Sequence, residues 1–174
     1  MITPHTNPHD WLADILQQAT SNIDKTYYNL PLYEQTPVYR ERVYCYELYH
    51  QMRVLWPKQP FILNGEIDKS GHKFFDKRVI PDFLIHQPGT WDNLAVVEVK
   101  SASSLASGYI KDLETLHEFT ESFGYTRAIY LIYGAPTSEL LEKVLTSAQS
   151  IKNCEVWLHD EVGKACIPIH KKEV

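Results

Sequence analysis

Hydrophobic residues recur at helical intervals in two segments near the start of the chain, residues 9–24 and 37–55. Both segments are predicted to form helices, and the second is apolar around most of its circumference, which predicts a buried helix. It is expected to end at Trp56-Pro57, because a proline disfavours helical geometry in the residue before it. Residues 26–37 are rich in Tyr, Pro and Asn and are predicted to be irregular.

Two further helices are predicted in the second half of the chain. One covers residues 109–123 and stops at Gly124, a residue type that commonly ends helices. The other follows the N-cap signal at Thr137 and runs to about Ser150. The segment 101–108 is small and polar and is predicted to be a loop. The inner face of the first of these helices is predicted to be formed by Ile110, Leu113, Leu116 and Phe119.

After residue 60 the pattern between the helices changes to short apolar runs, which predict β-strands. These runs are 61–68, 74–80, 81–86, 94–100, 127–133, 154–158 and 165–169. With the adjoining runs 74–80 and 81–86 counted once, the order of elements is α-α-β-β-β-α-β-α-β-β. Alternation of this kind predicts an α/β fold with a mixed β-sheet flanked by helices on both faces.

Length and composition indicate an ordinary globular protein. The chain has 174 residues, which predicts a single domain over 1–174, with 44% hydrophobic and 22% charged residues. It has no apolar run near the ~18 residues of a membrane span, and its first residues lack the basic and apolar regions of a signal peptide. The three cysteines show no metal-binding spacing and are predicted to be reduced thiols, so a cytoplasmic location is expected.

The formal net charge of −5 argues against a protein that coats nucleic acid through a broad basic face. It does not exclude an enzyme that binds phosphate locally, because clustered carboxylates can be metal ligands and a bound cation reverses the local charge. The chain also has 11 tyrosines, which predict a tyrosine-rich helix face or partner surface rather than base stacking.

The strongest chemical signal is Pro81-Asp82 at the start of one predicted strand and Glu98-Val99-Lys100 at the end of the next. Side chains two residues apart share a face of a strand, so Glu98 and Lys100 are expected to point the same way. Charged groups at the end of a buried strand need a partner or a ligand, because burial of an unpaired charge is costly.

Antiparallel pairing of the two strands is expected to bring Asp82 close to Glu98 and Lys100. Two carboxylates so placed suit a hard cation such as Mg²⁺, or Mn²⁺, with water filling the remaining coordination positions. The lysine can orient an attacking water and offset negative charge on a phosphate oxygen. The alternative is a structural ion pair among the three residues at the strand ends.

The spaced residues Pro81-Asp82 and Glu98-Val99-Lys100 resemble the PD-(D/E)xK nuclease superfamily, which has the restriction-endonuclease-like fold. The resemblance covers a core of about residues 37–133, whose predicted order αβββαβ is that of the family, with an extra N-terminal helix and a C-terminal helix and strands. It implies that Asp82 and Glu98 are metal ligands and that Lys100 is the catalytic lysine.

The family often adds an acidic residue from the helix before the sheet, and Glu47 is the first candidate for this role. Its alternative is a salt bridge to one of the arginines of the same predicted helix. Glu66 is a second candidate, because it lies on a predicted strand before Asp82, and its alternative is an exposed polar face. Lys69, His72 and Lys111 are candidate phosphate contacts, although a solvated helix lysine is the expected reading of Lys111.

The function implied by the resemblance is Mg²⁺-dependent hydrolysis of phosphodiester bonds in prokaryotic defence or repair. DNA is the favoured substrate and RNA is a second possibility. The alternatives are a catalytically silent binding or assembly module with the same fold and a phosphohydrolase that acts on nucleotides. A homodimer or larger assembly is expected, because a domain of this size has little surface with which to grip a duplex.

Overall fold

The structure is a computed structural model that describes residues 8–67 and 79–171. The helices are α1 (Pro8–Ser21), α2 (Lys25–Tyr28), α3 (Glu41–Leu55), α4 (Leu105–Ser122) and α5 (Ser138–Ala148). The strands are β1 (Leu30–Leu32), β2 (Gln35–Val38), β3 (Ile62–Gly65), β4 (Phe83–His86), β5 (Asn93–Ser101), β6 (Arg127–Tyr133), β7 (Cys154–His159) and β8 (Ile167–Lys171).

In the part of the chain that the structure describes, six strands form one mixed sheet in the order β3-β4-β5-β6-β7-β8. The pairs β3–β4, β4–β5 and β7–β8 are antiparallel, whereas β5–β6 and β6–β7 are parallel. Every residue of β6 is buried, as expected of an interior strand covered on both faces. The predicted mixed α/β sheet flanked by helices is therefore confirmed, and β1 and β2 form a separate two-stranded hairpin.

Alternate residues of the central strands pack against different helices. Val97 and Val99 of β5 belong to a core shared with α1 and α3, whereas Val96 packs in a second core with α4 and α5. This arrangement confirms the expected alternation along β5, since the odd-numbered valines face one helical layer and the even-numbered positions face the other. The face of β5 that carries Glu98 and Lys100 is consequently the one covered by α4.

Two boundaries differ from the sequence-based expectation. Helix α3 begins at Glu41 rather than residue 37, because Gln35–Val38 pairs with β1 and Arg40 keeps an extended backbone. Helix α4 begins at Leu105 rather than at residue 109, so the small residues read as a loop include its first turn. The prediction that Ile110 lies on the inner face of this helix was also wrong, because Ile110 is 58% exposed. The hairpin β1–β2 lies where irregular structure was expected.

The predicted helix ends are confirmed where a cap decides them. The Thr137 hydroxyl accepts a hydrogen bond from the Leu140 N–H at the start of α5. Gly124, which follows α4, has a φ of 67°, a conformation that favours glycine because it lacks a Cβ atom.

The predicted strand 74–80 falls mainly on residues outside the described ranges. Cys45, Cys154 and Cys166 are free and buried, as predicted.

A buried aromatic cluster joins α2, α3, β6 and β7 at the carboxyl ends of the parallel strands. The Tyr44 ring stacks on Tyr133 with centroids 3.9 Å apart, and the Tyr44 hydroxyl lies 2.7 Å from Nδ1 of His159. The Tyr28 hydroxyl donates to the His159 carbonyl and accepts from the Gly134 N–H, both at 3.0 Å. Burial lowers the pKa of His159 to about 4, so the ring is neutral in this cluster at ordinary pH.

Across residues 8–67 and 79–171, none of the helices combines the length and the apolar character that crossing a membrane requires.

Candidate active site

Strand β5 carries two of the predicted site residues into the layer beneath α4. Glu98 pairs in register with Tyr130 of the parallel strand β6 and is only 8% exposed. Lys100 lies two residues further along the same face, near the end of the strand, with a side chain that is 15% exposed. The apolar residues of β5 on either side make the strand an interior one, which holds both charged groups in a fixed and mostly dry position.

Asp82 lies immediately before β4 and is brought to β5 by the antiparallel register, in which Phe83 faces Val97. Its Oδ2 atom accepts a hydrogen bond of 2.7 Å from the Val99 N–H. The backbone of the same residue accepts a hydrogen bond of 3.0 Å from the Glu66 N–H, which ties it to the end of β3. The expected approach of Asp82 to the end of β5 is therefore present in the structure.

The carboxyl groups of Asp82 and Glu98 are hydrogen-bonded to each other. Burial raises the pKa of Asp82 to about 6, although the hydrogen bonds from Val99 and Glu98 oppose the rise. Burial also raises the pKa of Glu98 well above its ordinary value, and the neighbouring charges of Asp82 and Asp112 add to this rise. Glu98 is thus the member of the pair that holds the shared proton.

Lys100 lies between two further carboxylates from different helices. Its Nζ atom is 3.1 Å from Oε2 of Glu41, in the first turn of α3, and 3.2 Å from Oδ2 of Asp112, in α4. Burial alone would lower the pKa of Lys100, but the charges of Asp112 and Glu41 and their hydrogen bonds raise it above the ordinary value. The amine is therefore a fixed ammonium group at the edge of the Asp82–Glu98 pair.

Each of the two carboxylates that hold Lys100 is fixed by a neutral donor from the sheet. The Tyr130 hydroxyl donates to Oδ2 of Asp112 at 3.1 Å, and the Ser101 hydroxyl donates to Oε1 of Glu41 at 3.2 Å. Gly108 of α4 leaves the space that the lysine occupies, since a Cβ atom at that position would lie 3.1 Å from Cε and 3.2 Å from Nζ of Lys100.

Four carboxyl groups and one ammonium group therefore share a site that is largely shielded from water: Asp82, Glu98, Glu41, Asp112 and Lys100. Such an excess of acidic groups is unfavourable unless protons or cations balance it. The proton shared by Asp82 and Glu98 provides part of this balance. Two adjacent carboxylates that are costly to ionise are a donor set suited to a hard divalent cation, which would replace that proton.

The sequence predicted that Glu47 or Glu66 adds a further acid to the site. The contacts that the structure shows for these two residues are with other partners. Glu47 accepts a hydrogen bond of 2.6 Å from Gln51 one turn further along α3. Glu66 forms an ion pair of 3.3 Å with Arg42, and both side chains are exposed to solvent. The acid of α3 that contacts the site is instead Glu41, which sequence reasoning missed.

The spacing of Glu41 and Asp112 from the buried residues of their helices could have identified them as inward-facing acids. Glu41 precedes Cys45, Leu48 and Met52 at intervals of four, three and four, and these three residues are buried. Asp112 stands in the same relation to Leu116 and Phe119 of α4. A carboxylate that continues the buried stripe of a helix faces the interior and needs a partner there.

The structure shows no hydrogen bond or ion pair between the side chain of the described candidate for phosphate binding, Lys111, and the residues of the site. Lys111 is exposed on α4, next to Asp112. Lys69 and His72 lie outside the described residues. Within the described ranges, no group of three or more His, Cys, Asp or Glu side chains is arranged to hold a metal ion. Two carboxylates with water and substrate oxygens are nevertheless a frequent ligand set for Mg²⁺.

A scan against protein-family models and a search of curated proteins give no match to this chain.

Proposed function

We propose that this protein is a divalent-metal-dependent nuclease of the PD-(D/E)xK superfamily that hydrolyses phosphodiester bonds, with DNA as the favoured substrate and RNA as the second. The observation that carries the proposal is the Asp82–Glu98 carboxyl pair with Lys100 beside it, at the adjoining ends of β4 and β5. Burial keeps both acids protonated more readily than usual, so a cation that displaces the proton relieves an unfavourable arrangement.

The order of elements supports the same family. From α3 to β6 the chain runs α-β-β-β-α-β, with Asp82 just before the second strand and Glu98 and Lys100 on the third. This is the order that the resemblance implies for the restriction-endonuclease-like core. Glu41, rather than Glu47 or Glu66, is the acid of the preceding helix that we now assign to the site, since it contacts both Lys100 and Ser101.

In this proposal Asp82 and Glu98 would hold Mg²⁺ or Mn²⁺, and Glu41 would hold Lys100 beside them. A cation held there supplies positive charge to a phosphate oxygen and makes a nearby water more acidic. Glu98 would hold the cation as a carboxylate, with the proton it shares with Asp82 released to solvent. Lys100, held by Glu41 and Asp112, directs its ammonium group at the substrate and stabilises the negative charge that develops on the phosphate. Water oxygen forms a bond to phosphorus as the bond to the leaving oxygen breaks. The attacking water loses one proton to solvent and the leaving oxygen takes one up from solvent, so the products are a phosphate monoester and an alcohol.

The variant Glu98→Gln tests the proposal, because glutamine keeps a hydrogen bond to Asp82 while it removes the ionisable group. We expect cleavage of DNA in Mg²⁺ or Mn²⁺ to fall about a hundredfold or more, as when one electrostatic element of an active site is lost. The melting temperature is expected to stay at or above that of the wild type. The matched control is Glu114→Gln, which changes an exposed carboxylate of α4 and leaves cleavage unchanged.

A wild-type protein that cleaves neither DNA nor RNA in Mg²⁺ or Mn²⁺ contradicts the proposal, as does a Glu98→Gln variant with full activity. One observation favours the alternative of a silent binding or assembly module: Asp82 and Glu98 already satisfy each other through a shared proton. Calorimetry with Mn²⁺ separates the two, because the module would show no heat of binding and the nuclease would show heat that Glu98→Gln removes.

We also propose that the active form is a homodimer or part of a larger assembly, since 174 residues offer little surface for gripping a duplex. Light scattering at high concentration, with and without a DNA duplex, measures the mass. A monomer under both conditions counts against this proposal.

A further inference from the structure

The solvent face of α3 carries a stripe of cationic and aromatic side chains. Arg42, Tyr46, His50 and Arg53 follow one another at intervals of four, four and three residues, which places them on one side of a helix. All four are exposed, with 59% of Tyr46 and 70% of the Arg42 side chain accessible to solvent. We refer to these four residues as the α3 stripe.

The orientation of the α3 stripe is fixed by the opposite side of the helix. Tyr44, Cys45, Leu48 and Met52 are buried there and belong to the core that includes α1 and β5. Turning the stripe inward would expose these four side chains to water, which is unfavourable because burial of apolar surface stabilises the folded state. The exposed stripe is therefore a permanent surface of the folded chain.

The α3 stripe is positively charged on a protein whose net charge is −5. The two acids of α3 point elsewhere, since Glu41 contacts Lys100 and Glu47 contacts Gln51. Arg42 forms an exposed ion pair with Glu66. Arg53 forms no ion pair with any residue in the ranges 8–67 and 79–171.

The α3 stripe begins at the candidate active site. Arg42 directly follows Glu41, whose carboxylate is 3.1 Å from Nζ of Lys100. At 1.5 Å per residue, the 11 residues from Arg42 to Arg53 span about 16 Å of helix. One nucleic acid strand advances about 3.4 Å per nucleotide, so the stripe matches the length of about five nucleotides.

We propose that the α3 stripe binds the phosphate backbone of the nucleic acid strand whose phosphodiester bond lies at the Asp82–Glu98 pair. Arginine suits this role because its planar guanidinium group donates two parallel hydrogen bonds to phosphate. Tyr46, between the two arginines, offers a ring on which an unpaired base can stack. The inference rests on the proposed nuclease function for its substrate class, and it assigns the surface that positions the substrate.

The test measures binding without cleavage. Fluorescently labelled single-stranded DNA, duplex DNA and RNA are titrated with protein in EDTA, and the dissociation constant is followed as a function of salt concentration. The variants are Arg53→Gln and the double variant Arg42→Gln/Arg53→Gln, because glutamine retains good helix propensity. Lys152→Gln is the matched control, since it removes one exposed positive charge outside α3. Melting temperatures verify that each variant is folded.

Each arginine that contacts phosphate contributes about one unit to the slope of log affinity against log salt and about tenfold to affinity near ~50 mM salt. We therefore expect Arg53→Gln to weaken binding by about tenfold with a slope shallower by about one. The double variant is expected to weaken binding by about a hundredfold with a slope shallower by about two. Lys152→Gln is expected to match the wild type.

Two results overturn the inference: a folded Arg42→Gln/Arg53→Gln variant with the affinity and salt slope of Lys152→Gln, or a wild-type protein that binds none of the three nucleic acids. Its failure is separable from that of the nuclease proposal. If the wild type cleaves nucleic acid but the arginine variants keep its salt slope, the role of the α3 stripe is refuted and the nuclease proposal stands. If binding depends on the arginines but no cleavage occurs in Mg²⁺ or Mn²⁺, the nuclease proposal is refuted and the α3 stripe remains a binding surface.

Discussion

The Asp82–Glu98 pair predicts that removing an acidic group from the site stabilises the folded protein. The variant Asp82→Asn removes the charge but keeps a side-chain oxygen that can accept the hydrogen bond from the Val99 N–H. Its amide group can also donate to Glu98. Asp82→Asn therefore isolates the cost of a buried carboxylate from the loss of a hydrogen bond.

The magnitude follows from the pKa of Asp82, which burial raises from 3.8 to about 6. One pH unit corresponds to about 1.4 kcal/mol, so ionising this group in the folded state costs at most about 3 kcal/mol. Asp82 keeps part of its contact with water, and we expect a gain of about 1–3 kcal/mol in the free energy of unfolding on replacement by Asn.

The sign of the pH dependence is set by where the proton resides. Below about pH 4 Asp82 is protonated in both the folded and unfolded states, and the variant gains nothing. As the pH rises from about 4 to 6, the unfolded chain releases this proton before the folded chain does, so the wild type loses stability relative to Asp82→Asn. Above about pH 6 the difference is constant.

Urea unfolding in EDTA at several pH values between about 4 and 7.5 measures this difference. Asp92→Asn is the matched control, because Asp92 is exposed in the turn between β4 and β5. Adding Mg²⁺ at about 100 times its dissociation constant should return about 2.7 kcal/mol to the wild type and nothing to Asp82→Asn. An Asp82→Asn protein that is less stable than the wild type at pH 7.5 in EDTA would refute the reasoning.

Two further predictions separate packing from chemistry. Gly108→Ala is expected to raise the free energy of unfolding by up to about 1 kcal/mol, because alanine favours helix. The same variant is expected to reduce cleavage, because the added Cβ atom displaces the Lys100 ammonium group. Activity equal to that of the wild type in a nuclease assay would contradict this. Tyr44→Phe is expected to destabilise the protein by about 1–3 kcal/mol in urea unfolding, because the buried Nδ1 atom of His159 loses its hydrogen-bond partner. The control Tyr27→Phe changes an exposed ring and is expected to change the stability little.

The predictable part of the fold is the part that local physics controls. Thr137 and Gly124 set helix ends through their own backbone and side-chain geometry, and both were identified correctly. The start of α4 was misjudged because residues 101–108 are small and polar, a composition typical of loops, and glycine has a low intrinsic helix propensity. Helix α4 nevertheless includes Gly108, because Leu105, Leu113 and Leu116 pack the helix into the core, and the glycine leaves the space that Lys100 occupies.

The amino-acid sequence was enough to predict the alternation of helices and strands, the antiparallel approach of Asp82 to β5 and the shared face of Glu98 and Lys100. These features depend on periodicities of about two and 3.6 residues that can be read within one segment. The three-dimensional packing was needed to show that Glu41 and Asp112, 71 residues apart, hold the same lysine, and that Glu47 and Glu66 have other partners. Contacts between distant segments depend on how a helix is rotated and packed on the sheet, which no local pattern specifies.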